Sequence, residues 1–481
     1  MSLKQKFGTD VLITTIINFS KKIRGIVFIP LITKQLGTGA YGAYSQVLVV
    51  TALFTGIFKL GLPSALVHYS QDIEDKNKQA ELYYSLTFAA LISGITIAII
   101  LNFASPYVSR YTLGAGSYTT VFRIGSVLVP IYVLREMSQN YFRSKRQIKR
   151  FSFYGGLKTY VLVGVVVAVL LLFELSLEGV IKTVIIVELL FVIGLQFIIY
   201  VEVGFHKPSM SNFRTYFRYS IPMMVTTFTG NLQSRVDRLL IGFYLGAESV
   251  GIYSIVYNVA QLIRSLVLPL RVTLLPELSR LIKNGNMTEG RNMITISSKY
   301  FLTIGIPSVF GIQLVSNRLL DVLATQTVVE GSEGIVFIIS IGIFFWGLEI
   351  IHRQLLNASE MTSIVSKIRI VGSVLNIVLN LLLILPFGIT GAAAATLASY
   401  VFTFGAVYYL THMEFHVKFD YLQTIKTVGS ALVMTIVVRS LPIQSLVGMV
   451  VVGAIVYFIA LFILGGINKT EIVGLYIILK D

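Results

Sequence analysis

Asn18 to Gly42 reads NFSKKIRGIVFIPLITKQLGTGAYG, and this stretch decides what kind of chain carries it. With VLITTIINFS before and GIVFIPLI after, Lys21, Lys22 and Arg24 fall near the middle of an apolar window of about 20 residues, the length that a bilayer core requires. A cation at the centre of a lipid-facing helix costs roughly 2.5 to 3.5 kcal/mol, so three of them would cost on the order of 8 to 10 kcal/mol. They must therefore face a water-filled cavity or an anionic ligand inside a helix bundle.

Composition extends this reading to the whole chain. Of 481 residues, 55% are hydrophobic and only 13% charged, far less charge than a soluble domain carries. Dividing the apolar content into spans of about 20 residues gives on the order of 13 helices. The chain has no Cys, which excludes disulfides, thiolate nucleophiles and thiolate metal sites. The N-terminus MSLKQKFGTD lacks a short apolar core with a small-residue cleavage site, so it reads as a cytoplasmic end leading into a retained span.

Fourteen apolar windows follow, at about 11–32, 42–66, 82–103, 118–142, 151–173, 178–201, 215–244, 249–271, 296–317, 334–356, 363–386, 389–411, 424–440 and 446–466. Alternate connections are basic. Arg143, Lys145, Arg146, Lys149 and Arg150 fall in one, Lys207, Arg214 and Arg218 in the next, and Arg271, Arg280, Lys283, Arg291 and Lys299 in a third. The bias over the opposite loops is roughly five to one, which places both termini in the cytoplasm. Topology thus explains most of the formal net charge of +16 without a nucleic-acid partner. External loops of about 5 to 15 residues are too short for a folded domain, so function lies within the bilayer or at its mouths.

An internal repeat organises the windows. LGTGAYGAYSQVLVV, from Leu36 to Val50, aligns with LGAESVGIYSIVYNV, from Leu245 to Val259, at a constant offset. Six spans separate the copies, an even number, so the halves are parallel repeats related by an axis along the membrane normal. The expected architecture is an all-α polytopic membrane protein of about 14 transmembrane helices. It comprises an N-lobe at 1–205, a C-lobe at 206–415, and two further helices with a cytoplasmic C-terminus at 416–481.

The run IPLITKQLGTGAYGAYSQV, then GLPSAL and YFRSKRQIKRFSF, resembles the Wzx-type polysaccharide and O-antigen flippases of the multidrug/oligosaccharidyl-lipid/polysaccharide exporter superfamily. In the second half DRLLIGFYLGAESVGIYSIVYNVAQLI, LLPELSRL and RIVGSVLNIVLNLLLILPFGITGAAAATLASY follow that family's pattern in order, so the likeness extends from about residue 20 to 410. The resemblance implies two six-helix bundles that alternate between inward-open and outward-open states. Its implied cargo is a polyprenyl-pyrophosphate-linked oligosaccharide, moved to the outer leaflet of the cell membrane for surface polysaccharide synthesis. Membrane lipids are the surroundings, and a polysaccharide polymerase and chain-length proteins are the implied protein partners.

Charges inside spans are the candidates for function. Lys21 and Arg24 lie about 60 degrees apart on a helical wheel and share a face, whereas Lys22 points away. Pro30 removes a backbone donor in the same helix, so a bend is expected there, with Gly37 and Gly42 of the following turn as the other gating positions. Lys59, Arg123 and Arg135 lie well inside their windows and are expected to line the cavity, where Arg and Lys suit a pyrophosphate. Lys158 and Lys182 lie near predicted span ends and either line the cavity or snorkel to the interface. In the second half Arg235, Asp237 and Arg238 cluster late in the seventh span, and Arg264 is expected to face the first-helix cations.

The intramembrane acids Glu188, Asp237 and Glu349 are expected to carry a coupled H+ or Na+, because no phosphate-binding loop G-x-x-x-x-G-K-[ST] occurs. Glu349, in FFWGLEII, has no evident neighbouring cation, whereas Glu136 is expected to pair with Arg135 or with an arginine on another helix. The histidines, including His352, all fall in or beside cytoplasmic segments, and His412 with His416 is the solvated end of a helix rather than a metal site. Tyr41, Tyr44 and Tyr253 sit where sugars could stack near the outer mouth. No cofactor is called for. The competing readings are a small-molecule or drug antiporter of the same superfamily, which needs an acidic cavity for cationic drugs, and a membrane polysaccharide polymerase. The latter is an enzyme and needs a catalytic base or metal carboxylate pair that the sequence lacks.

Overall fold

The structure is a computed structural model that describes residues 23–145, 147–173 and 176–466. Among these the regular structure is helical and no strand occurs, as the apolar windows require of a chain whose backbone must satisfy its own hydrogen bonds in lipid. Ten helical stretches among the described residues are long and apolar enough to cross a bilayer. Two of them, Val236–Lys283 with 48 residues and Thr362–Phe415 with 54, exceed the roughly 20 residues of one crossing more than twofold. The second doubles back at Gly388, and the Ser399 hydroxyl donates to the Gly372 carbonyl at 2.7 Å across the resulting hairpin. Side chains such as Phe103, Phe197 and Ile463 are exposed on helix faces, where a soluble protein would place polar groups.

The chain divides into two compact units, residues 1–254 and 255–481. The first holds α1 (Ile23–Leu36), α2 (Thr38–Phe58), α3 (Leu62–Tyr69), α4 (Lys76–Leu113), α5 (Thr119–Gly125), α6 (Leu128–Ser144), α7 (Ile148–Leu172), α8 (Leu177–Val203) and α9 (Phe213–Gln233). It also takes α10 (Val236–Ala260) as far as Ser254. Short polar side chains start these helices: Asp75 accepts the Asn77 N–H at 2.8 Å ahead of α4, and Ser176 accepts that of Gly179 at 3.4 Å ahead of α8. The second unit holds α11 (Arg264–Lys283), α12 (Met287–Leu323), α13 (Gln326–Gly331), α14 (Ile335–Ala358), α15 (Thr362–Phe415), α16 (Tyr421–Ser440) and α17 (Leu446–Ile463).

In the first unit the beginnings of the two repeat copies meet. Gly37 has φ 90° and Gly246 φ 82°, so at both positions the backbone takes a left-handed turn that a side chain would strain. Beyond these turns α2 crosses α10 with backbone against backbone. A β-carbon on Gly42 would lie 1.8 Å from the Ala247 carbonyl oxygen, and one on Gly251 would lie 2.3 Å from that of Thr38. Thr38 and Ala247, like Gly42 and Gly251, are equivalent positions of the repeat, so one contact is made twice about a local twofold axis. On that axis the Ser45 hydroxyl donates to the Ser254 hydroxyl at 2.9 Å, and the two serines are equivalents 209 residues apart. Gln46 secures the crossing by donating to the carbonyls of Thr112 at 2.8 Å and Arg238 at 3.2 Å.

One expectation is corrected here. Tyr41, Tyr44 and Tyr253 do not line a sugar-binding mouth: all three are buried, because the crossing turns them inward. The Tyr44 ring packs near those of Tyr41 and Phe28, and the Tyr253 hydroxyl donates to Asp237 at 2.8 Å. The helix that carries Pro30 is continuous through it, and the left-handed turn of the backbone falls at Gly37.

Candidate functional site

A seam of ion pairs runs through the first unit. The Lys59 ammonium, just past the end of α2, lies 2.6 Å from the Glu136 carboxylate on α6. One residue earlier on α6, Arg135 reaches the Glu188 carboxylate on α8 at 2.8 Å, and Lys158 on α7 reaches its other oxygen at the same distance. The Arg135 guanidinium also lies over the Tyr132 ring, 4.1 Å from its centroid. Glu188 is 0% exposed on a helix of nearly unbroken aliphatic sequence, so its charge persists only because two cations from two other helices meet it there. Three of the cations expected to line a cavity, Lys59, Arg135 and Lys158, thus belong to ion pairs, and Glu136 pairs with a lysine rather than an arginine.

The remaining first-unit candidates are dispersed. Arg123 and Lys182 are exposed. Asp237 is buried, accepts the backbone N–H of Arg238 at 2.8 Å and the Tyr253 hydroxyl, and so ties together the two sides of the Gly246 break. Arg235 donates to Asn231 at 2.9 Å. Lys21 lies outside the described residues, as does the side chain of Arg24.

The second unit gathers Arg264 and Arg271 with Arg353 and Arg369, two cations that the sequence reading did not single out. Trp346, Glu349 and Arg353 recur at helical spacing along one face of α14. The Arg264 guanidinium of α11 lies 4.0 Å from the Trp346 ring centroid, a cation–π contact, and Arg353 Nε lies 3.1 Å from Glu349 Oε1. Arg271, two turns along α11 from Arg264, is within electrostatic reach of Arg264, Arg353 and Glu349. Arg369 of α15 is within reach of Arg271, Arg353 and Glu349. Arg271, Arg353 and Arg369, from three helices, therefore lie within electrostatic reach of one buried carboxylate, with Arg264 within reach of Arg271.

This corrects two readings. Glu349 does have a neighbouring cation, one helical turn away. Arg271 is not in a basic loop, because α11 continues as helix to Lys283. His352 is buried among helices, with its ring nitrogens 3.2 Å from the Ser298 hydroxyl and 3.1 Å from that of Thr411. His412 meets the Val417 carbonyl at 3.0 Å, and no group of metal-binding side chains occurs among the described residues.

Next to the arginine cluster is an apolar groove of about 520 Å³ between α11, α12, α16 and α17. Leu262, Ile263 and Leu266, which flank Arg264 in sequence, line one wall, and Gly311, Met449 and Tyr457 are among the others. The groove and the cluster thus share the start of α11, through Ile263 and Arg264.

Comparison with known proteins gives this geometry a context. Residues 7–282 match the family described as polysaccharide biosynthesis protein, and residues 222–382 match the MatE family. The chain is 28% identical over 235 residues to the "Probable low-salt glycan biosynthesis flippase Agl15" of Haloferax volcanii, a match that spans 49% of each chain. It is 23% identical to the "Probable flippase AglR" of the same organism, over 79% of this chain and 78% of that one. The solved structure "Lipid II flippase MurJ, inward closed conformation" superposes with a TM-score of 0.79 at 16% identity, covering 93% of this chain and 98% of its own.

Proposed function

We propose, for a chain that belongs to the polysaccharide biosynthesis protein family, that it flips a polyprenyl-diphosphate-linked oligosaccharide across the membrane. One observation carries this reading: a cluster of arginines and an apolar groove share the start of α11, where Arg264 follows the groove-lining Ile263. An anionic headgroup on a long hydrocarbon tail is the ligand whose two halves such a surface accommodates. The guanidinium groups take the diphosphate in charge-assisted hydrogen bonds, and the tail lies along the groove, where burial of apolar surface contributes about 25 cal/mol per Å².

The protein is a multi-pass membrane transporter. Its termini lie in the cytoplasm, its membrane is the plasma membrane, and cargo moves from the cytoplasmic to the outer leaflet. The glycine crossing of Gly42 on Ala247 and Gly251 on Thr38, with Gly37 at its edge, is the external gate that separates when the cargo leaves. Lys59 and Arg135 act as further cations for the headgroup while held in their ion pairs. Lys21 and Arg24 act as further cations for the anionic headgroup, and Arg123 guides the anion on approach. An H+ or Na+ gradient supplies the energy through a buried acid. Among the described residues, Glu188 is hydrogen-bonded to two cations and Asp237 to two donors, so Glu349, whose contact with Arg353 is not a hydrogen bond, is best suited to exchange partners. A polymerase and chain-length proteins receive the exported glycan.

A deletion strain tests the reading. It is expected to lose surface glycan while the lipid-linked oligosaccharide accumulates in the cytoplasmic leaflet. Intact surface glycan together with altered sensitivity to cationic drugs would instead establish a drug antiporter.

A further inference from the structure

The contact between Glu349 and Arg353 is close but incomplete. Arg353 Nε and Glu349 Oε1 lie 3.1 Å apart, yet neither atom is aligned for a hydrogen bond, and both are buried without another partner. Glu349 is 4% exposed, which leaves its carboxylate little contact with bulk solvent. A buried charged atom left in this state is costly, and it persists in native structures chiefly where a ligand or a change of partner satisfies it. Around it the charge is unbalanced: Arg264, Arg271, Arg353 and Arg369 share one acid. Arg271 is exposed and Arg353 and Arg369 are half-buried, so an anion can approach the cluster.

We infer that Glu349 is a resident counter-anion, a carboxylate that occupies part of a diphosphate site and is displaced from Arg353 when a diphosphate binds. The spacing of α14 supports this. Glu349 and Arg353 are four residues apart on one helix, so a rotation of the Arg353 side chain separates them without movement of the backbone. Its fork of donors then meets a phosphate with bidentate geometry, which the present contact with Glu349 lacks. Arg264 is held by the Trp346 ring, which keeps its guanidinium in place at either stage. In the empty protein the carboxylate relieves repulsion among the four arginines. In the loaded protein it opposes the ligand, which keeps binding weak enough for release. Glu349 would thus set the affinity and the release rate of the cargo, and Arg353 would be the group that changes partner.

This inference rests on the proposed cargo, and the experiment separates the two. Full-length protein in lipid nanodiscs is titrated with inorganic pyrophosphate, and in a second arm with undecaprenyl diphosphate. Wild type, Glu349→Gln and Arg353→Gln are compared at low ionic strength, with thermal melting as the check on folding. Glu349→Gln is expected to bind pyrophosphate about tenfold tighter than wild type, and Arg353→Gln about tenfold weaker. Equal or weaker binding by folded Glu349→Gln overturns the inference, whichever substrate is transported. If the second arm shows the same reversal of order but at lower concentrations, the site serves a lipid headgroup. If only inorganic pyrophosphate shows it, the counter-anion reading holds and the lipid-linked cargo is wrong.

Discussion

Gly42→Ala adds one methyl group at the point where α2 crosses α10. The new carbon would sit 1.8 Å from the Ala247 carbonyl oxygen and 2.8 Å from the Gly251 nitrogen, both backbone atoms that no rotamer change can move. It falls about 1.6 Å short of ordinary contact, so the helices must separate by a comparable distance. Overpacking of this kind costs about 1 to 3 kcal/mol, and a central value of about 2 kcal/mol lowers the population of the crossed state about thirtyfold. The assay uses the native absence of cysteine. Ser45→Cys with Ser254→Cys replaces two hydroxyls that touch at 2.9 Å, so mild oxidation of membranes is expected to join the two helices rapidly. Adding Gly42→Ala should slow that cross-link about thirtyfold while the protein still elutes and melts as a folded species. An unchanged cross-linking rate would refute the claim that the glycines permit the approach.

Two further outcomes test other parts of the structure. Glu188→Ala leaves Arg135 and Lys158 in the interior without their shared counter-charge, and should destabilise the protein by about 3 to 5 kcal/mol, read as a lowered melting temperature in detergent. Gly311 lines the groove and has open space where a side chain would go, so Gly311→Trp should fill the groove without disturbing the fold. It is expected to reduce affinity for undecaprenyl diphosphate at least about tenfold and leave inorganic pyrophosphate binding unchanged, as measured by titration in nanodiscs.

Hydropathy period and length made the helical class legible in the sequence, because a bilayer enforces both. The repeat was legible too, since Gly37, Gly42 and Ser45 recur as Gly246, Gly251 and Ser254. That the two copies touch through these same residues was not, because a repeat in sequence does not state where its axis lies. Among the charges, position along a span was legible and partnership was not. Lys59, Arg135 and Lys158 were recognised as intramembrane cations, but their acids lie on other helices and distant in sequence. Arg271 escaped notice for a different reason. Two prolines and several charges from Leu268 to Lys283 resemble a loop, and only tertiary packing keeps α11 helical there. A seven-residue spacing from Arg264, together with the face shared by Trp346, Glu349 and Arg353, was the signal available for the arginine cluster.

The most direct measurement reconstitutes the purified protein into liposomes that carry a fluorescent polyprenyl-diphosphate oligosaccharide, and follows the fraction accessible to a membrane-impermeant quencher. The account predicts that wild type exchanges this lipid between leaflets and that Arg264→Ala with Arg353→Ala does not, although the double variant remains folded. Contradiction would come from wild-type liposomes in which the lipid stays in its original leaflet, or from a double variant that exchanges it at the wild-type rate.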